Sequence, residues 1–202
     1  SKEGYLTTQY DKDLVEELGL LKMDFLGLRT LTVIGDCVKL VKANRGIDLD
    51  VTKIPLDDPE TGKLLTIGDT AGVFQMESDG ITNLVKELAP THFEDMIPTV
   101  ALYRPGPLGS GMVTDFIKRS HGETKVTYLH PLLEPILKDT YGVILYQEQV
   151  MQIASAMGGF SLGQADLLRR AMGKKKESIL VAQRENFLAG TRKNGIDDAV
   201  AN

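Results

Sequence analysis

The chain has 202 residues, 42% of them hydrophobic, enough for one large domain or two small ones with a real core. A net charge of −5 argues against a surface that coats nucleic acid unspecifically, yet leaves room for a local basic patch, and no apolar stretch approaches the roughly 20 residues that span a bilayer. The single cysteine, Cys37, excludes an internal disulfide and fits a reducing cytosolic setting, while His92, His121 and His130 lack the spacing of a zinc site.

The chain opens without an initiator Met and shows no signal peptide, and is read as a piece cut from something longer, a processed mature protein being the alternative. Residues 1–19 are polar and acidic and suit a loop or short helix. Residues 20–26 are a strand candidate. Leu31, Ile34, Val38 and Val41 recur at helical spacing from Thr30, and Asn44 to Gly46 closes that helix. Residues 47–57 read as loop. Asp58-Pro59 is an N-cap followed by proline at the first helical position.

Residues 71–76 suggest a short strand. Ser78 caps a helix whose apolar face is Ile81, Leu84, Val85 and Leu88, ended by Pro90. Thr91-x-x-Glu94 is a capping box that opens a helix with the core stripe Phe93, Met96, Ile97, Val100 and Ala101. Arg104-Pro105-Gly106-Pro107 is a stiff turn. Residues 112–119 read as helix, 124–128 as a short strand, 132–137 as a short helix and 143–146 as β-favouring. The helix from Gln147 to Met157 is stopped by Gly158-Gly159. Ser161-x-x-Gln164 is a second capping box, on a helix ending at Gly173, and Glu177 to Lys193 is a last long helix. The fold class is mainly α with a few short β-strands.

Two constellations bear chemistry. In a strand, Lys22 and Asp24 share one face and Leu21, Met23 and Phe25 the other. The polar face then holds an acid able to ligate a divalent metal beside an ammonium able to grip phosphate; a solvated edge strand is the plain alternative. Two-metal phosphoryl transfer needs several carboxylates, and only Asp24 is well set. Further on, Arg169, Arg170, Lys174, Lys175 and Lys176 put five cations within eight residues. Asp166 can pair with Arg169 or Arg170 at helical spacing, but one acid does not neutralise five bases. The alternatives are a polyanion clamp and a solvated helix end favoured by the dipole. Gly173-Lys174-Lys175 is not a P-loop, because residue 168 is Leu and residue 175 is Lys. Arg104 either faces phosphate or caps the carbonyls of its helix, the second being the favoured reading. Glu77 and Glu148 read as surface or cap residues, and His92 as structural.

Together these residues resemble a known family. Lys22-Met23-Asp24-Phe25-Leu26-Gly27-Leu28-Arg29-Thr30-Leu31 is similar to the end of the palm in the alpha subunits of bacterial DNA polymerase III, the C-family replicative polymerases. The likeness continues in order through Val73-Phe74-Gln75-Met76-Glu77-Ser78, Phe93-Glu94-Asp95-Met96, Arg104-Pro105-Gly106-Pro107-Leu108, residues 142–151 and residues 167–176. The resemblance implies an architecture of palm edge over residues 1–33 and fingers over 34–202, with the C-terminal end of the fingers open to truncation. It implies that Asp24 is the third catalytic aspartate and a metal ligand. Lys22, Arg169 and Arg170 would contact the incoming triphosphate, with Lys174, Lys175 and Lys176 in the same patch. It implies a DNA-directed DNA polymerase using two Mg²⁺ ions, with primer-template DNA, dNTP, the sliding clamp and other replisome subunits as partners, no membrane, and a bacterial cytoplasmic setting. The isolated piece, lacking the other palm aspartates, is expected to be inactive. The competing reading is a stand-alone helical module that binds nucleic acid or protein without catalysis.

Overall fold

Helix starts and stops follow local chemistry closely in the computed structural model, which describes residues 4–173 and 177–202. The chain divides into two compact units, Ser1–Ile54 and Pro55–Asn202. In the first, α1 (Lys12–Glu17) begins where the Asp11 carboxylate accepts from the amides of Asp13 and Leu14, both at 3.0 Å. The longer α2 (Arg29–Arg45) ends at Gly46, whose φ of +66° is open to glycine at little cost, with its amide bonded to the Lys42 carbonyl. The predicted stripe of α2 stays largely in solvent. Leu31 and Ile34 are exposed, Val38 and Val41 are half-buried, and no residue from 4 to 54 is buried.

The strand predicted over 20–26 does not form. Residues 20–28 are irregular, and Leu21, Phe25 and Leu26 lie 85%, 87% and 95% exposed. A strand needs a neighbour for its ladder and cover for its apolar face, and the described residues of this unit supply neither.

The second unit is built on two helices that each serve two clusters. α3 (Pro59–Ile67) starts at Asp58, which accepts from the Thr61 amide at 2.9 Å, with Pro59 in the first turn. α4 (Asp79–Leu88) buries all four residues of its predicted face. Ile81 and Val85 pack with Leu65 and Met76, while Leu84 and Leu88 pack with Leu102, Phe116 and Val143. Each such large aliphatic side chain contributes about 1.5–3 kcal/mol when fully buried. α5 (Met96–Leu102), α6 (Pro105–Gly109) and α7 (Met112–Ser120) complete this group.

Beyond it, α8 (Glu134–Leu137) follows a 3₁₀ turn over Pro131–Leu133. α9 (Gln147–Gly158) packs on one side with Leu133, Leu137 and Ile196 through Met157, and on the other with Phe160 and Ala165 through Ala154. α10 (Leu162–Gly173), α11 (Glu177–Lys193) and α12 (Asp198–Ala201) surround it. α9 and α11 approach closely at Gly158 and Gly190. A Cβ on Gly190 would fall 1.8 Å from the Gly158 carbonyl oxygen.

Several expectations shift here. No strand occurs among the described residues. Residues 71–76 form turns, with positive φ at Gly72 and Gln75 and short-range bonds from Val73 N to Thr70 O and from Met76 N to Val73 O. Residues 124–128 pair with no neighbouring strand, and the Thr124 amide turns back to the Lys118 carbonyl. At 143–146 the amides of Leu145 and Tyr146 are taken by Gln149 Oε1, at 2.8 and 2.9 Å, and that of Val143 by the Thr140 carbonyl, so most of the donors a ladder would need are already used. β-propensity alone does not make a strand where local side chains use the backbone donors.

The cap predicted for Thr91 and Glu94 moves one residue on. Asp95 Oδ2 accepts from the Thr91 and His92 amides at 2.9 and 3.0 Å, opening the 3₁₀ turn Phe93–Asp95. Accordingly Pro98, Thr99 and Leu102 are the buried residues of α5, whereas Phe93 and Ile97 are exposed. Arg104-Pro105-Gly106-Pro107 is not a plain turn. Arg104 is the extended N-cap of α6 and the prolines enter its helix, so its place is at a helix start, not over carbonyls.

Candidate functional site

The first candidate lies in the unit spanning Ser1–Ile54. The irregular segment still sets Lys22 beside Asp24, with Nζ 2.9 Å from Oδ2 and the Asp24 side chain 65% exposed. The hydrogen bond to Asp24, and then its charge, raise the Lys22 ammonium above its usual range. A carboxylate reached so readily from solvent is a suitable hard-oxygen ligand for Mg²⁺. It is one ligand only. Among the described residues no group of three or more His, Cys, Asp or Glu side chains is arranged to hold an ion.

The second candidate lies on α10. The predicted capping box forms, with the Ser161 amide bonded to Gln164 Oε1 at 2.9 Å and the Gln164 amide to Ser161 Oγ at 3.3 Å. That start sets the register in which Asp166, Arg169 and Arg170 lie three and four residues apart. Asp166 pairs with both arginines. Its Oδ1 accepts from Arg169 Nε at 2.9 Å and Nη2 at 2.8 Å, and its Oδ2 lies 2.8 Å from Arg170 Nε. The hydrogen bond from Arg169 is the leading cause that holds the Asp166 carboxyl below its usual range. Arg169 Nη1 also donates to Gln147 Oε1 of α9 at 3.0 Å.

The structure thus joins Lys22 with Asp24, and Arg169 with Arg170. Lys174, Lys175 and Lys176 lie outside the described residues. Arg104 is exposed and makes no ion pair among the described residues, and Glu148 is an exposed first-turn residue of α9. His92 is exposed, with Nδ1 2.9 Å from Thr91 Oγ1. A groove of about 890 Å³, lined among others by Leu88, Phe116, His121, Tyr141 and Tyr146, includes none of the predicted site residues.

Sequence reasoning missed two glutamines. Gln147 is the cross-helix partner of Arg169, and no sequence pattern marks it. Gln149 is buried, accepts from two backbone amides and donates to Thr140 Oγ1 at 2.8 Å. Its signal was present, as a glutamine at the third position of a helix after an extended N-cap, Tyr146.

The described residues form a helical domain, and residues 30–195 match the family model of the bacterial DNA polymerase III alpha subunit finger domain. The chain belongs to that family. It is 50% identical over 196 residues to the DNA polymerase III subunit alpha of Staphylococcus aureus (strain MRSA252), covering 97% of this chain and 18% of that relative. It is 52% identical over 194 residues to the DNA polymerase III subunit alpha of Aquifex aeolicus (strain VF5), covering 96% of this chain and 17% of that one. The chain therefore spans less than a fifth of the length of these curated relatives. Among the described residues, no helix is long and apolar enough to cross a membrane.

Proposed function

We propose that this chain works within a replicative DNA-directed DNA polymerase, with residues 1–33 as the palm edge and 34–202 as the fingers. The observation that carries this reading is the identity of about 50% along almost the whole chain to polymerase alpha subunits. The partners would be primer-template DNA, an incoming dNTP and other replisome subunits, the sliding clamp among them, in the bacterial cytoplasm. The reaction joins a primer 3′-hydroxyl to the α-phosphorus of the dNTP and releases pyrophosphate.

Asp24 would give one carboxylate to the Mg²⁺ centre, and Lys22 would exchange Asp24 for the triphosphate. Bound Mg²⁺ supplies Lewis-acid polarisation of the phosphoryl oxygens. Arg169 and Arg170 would bind the triphosphate through guanidinium N–H groups, joined by Lys174, Lys175 and Lys176. Preset cations of this kind stabilise charge that grows on the leaving phosphates without reorganising at the moment of reaction. The chain alone would be inactive, because one carboxylate does not hold two ions.

In the full-length polymerase, Asp24→Asn should lower incorporation by about 10³-fold or more, since metal stabilisation of the transition state is worth several kcal/mol and each 1.36 kcal/mol is about tenfold. Near-normal turnover would remove Asp24 from the metal site. Arg169→Ala with Arg170→Ala should raise the apparent KM for dNTP and lower kcat. Unchanged constants would remove the arginines from the triphosphate.

A further inference from the structure

The two arginines of α10 do not stand as independent cations. Asp166 places one carboxylate oxygen on the Nε/Nη2 edge of Arg169 and the other on Nε of Arg170, and Gln147 holds Nη1 of Arg169 from α9. Arg170 has no recorded partner at Nη1 or Nη2 among the described residues, and its side chain is 67% exposed. Arg169 has five N–H donors and spends three of them on these two neighbours, so two remain.

A site that needed only charge would do better without Asp166. The carboxylate cancels one of two positive charges and repels an arriving phosphate. What it contributes is order. A long arginine side chain that is already held loses less freedom when it binds. A guanidinium pinned along one edge also presents its remaining N–H groups in a set direction. Gln147 extends the same restraint from a second helix.

We propose that Asp166 is a positioning residue for the triphosphate: it splays Arg169 and Arg170 from a shared carboxylate, with Gln147 as the second anchor of Arg169, so that both guanidiniums are preset for phosphate oxygens. This rests on the reading that those arginines meet the dNTP triphosphate. It separates two effects that a simple cation patch would combine. Loss of Asp166 removes a repulsive charge, which offsets in the ground state the extra freedom the released arginines lose on binding dNTP, while the alignment needed in the transition state is lost.

The test is steady-state dNTP incorporation by the full-length polymerase carrying Asp166→Ala, and the isosteric Asp166→Asn to guard against misfolding. Asp166→Ala should lower kcat at least tenfold with KM for dNTP unchanged or lower, and Asp166→Asn should fall between it and the wild type. Adding either change to Arg169→Ala/Arg170→Ala should lower kcat no further. Wild-type kcat in both single variants overturns the proposal. So does an undiminished kcat loss in the arginine-free background, which would mark a role in folding alone. If the arginine double variant keeps normal KM and kcat, the triphosphate reading falls and this inference with it. If that variant is impaired while the Asp166 variants are normal, the inference alone falls.

Discussion

Residues 4–54 expose Leu21, Phe25, Leu26 and Leu31, whereas residues 55–202 bury Ile81, Val85, Leu102 and Phe116 almost completely. Both units contain helices with apolar residues at helical spacing. In the second, α4 finds Leu65 and Met76 on one flank and Leu102 and Phe116 on the other. Among the described residues of its own unit α2 finds no covering surface, and none of them is buried. Periodicity therefore marks the face a helix is ready to bury, while burial needs a second surface of complementary shape. An isolated helix is marginal in water, so α2 relies on local devices: the Gly46 cap and the ion pair between Lys39 and Asp36 at 3.0 Å.

One aromatic in each unit tests that contrast most directly. Phe116 is 2% exposed and meets Tyr141 edge-on at 5.2 Å, while Phe25 is 87% exposed. Phe116→Ala should cost about 3–5 kcal/mol. Phe25→Ala should stay within about 0.5 kcal/mol. Chemical denaturation of the 202-residue chain measures both, and a comparable loss at Phe25 would break the contrast.

The next effect concerns how tightly the second unit packs. Gly190→Ala forces its Cβ onto the Gly158 carbonyl, so α9 and α11 must separate. An overpacking cost of about 1–3 kcal/mol follows, seen by calorimetry as a Tm lower by several degrees. An unchanged Tm would mean that the helix crossing yields more readily than a packed core should.

The smallest effect is electrostatic. Arg192 Nε and Nη2 lie 2.9 Å from Asp198 oxygens, tying α11 to α12, and the hydrogen bond from Arg192 holds the Asp198 carboxyl below its ordinary 3.8. A lowered carboxyl pKa stabilises the fold fully above 3.8, and that contribution is lost as pH falls through the lower folded value. Asp198→Asn should thus have a slightly lower Tm than the wild type at neutral pH, and the gap should close in acid. A gap that widens in acid would reverse the sign assigned to this pair.

Much of the helical layout was legible from residues alone, because caps and stops act over three or four positions. Gly46, Asp58 with Pro59, Gly159 and the Ser161–Gln164 box all do in three dimensions what their types suggest. The strands were misread for one reason in four places. Apolar and β-branched residues at 20–26, 71–76, 124–128 and 143–146 suit a sheet, yet sheet formation is a property of pairs of segments. The candidate site divides the same way. The spacing of Asp166 from its two arginines was readable, but their simultaneous capture by one carboxylate, and the reach of Gln147 across from α9, were not.

By itself the sequence determined most helix starts and stops, which faces are apolar, and that an acid, an ammonium and a run of cations are available. Those properties depend on neighbours a few residues away. Only the tertiary structure decided that α4 is sheathed while α2 has no fully buried residue, that Gly190 must remain glycine, and that Gln147 and Asp166 together restrain Arg169. Those outcomes depend on groups brought together from distant positions, where shape and unmet hydrogen bonds, rather than propensity, select the partner.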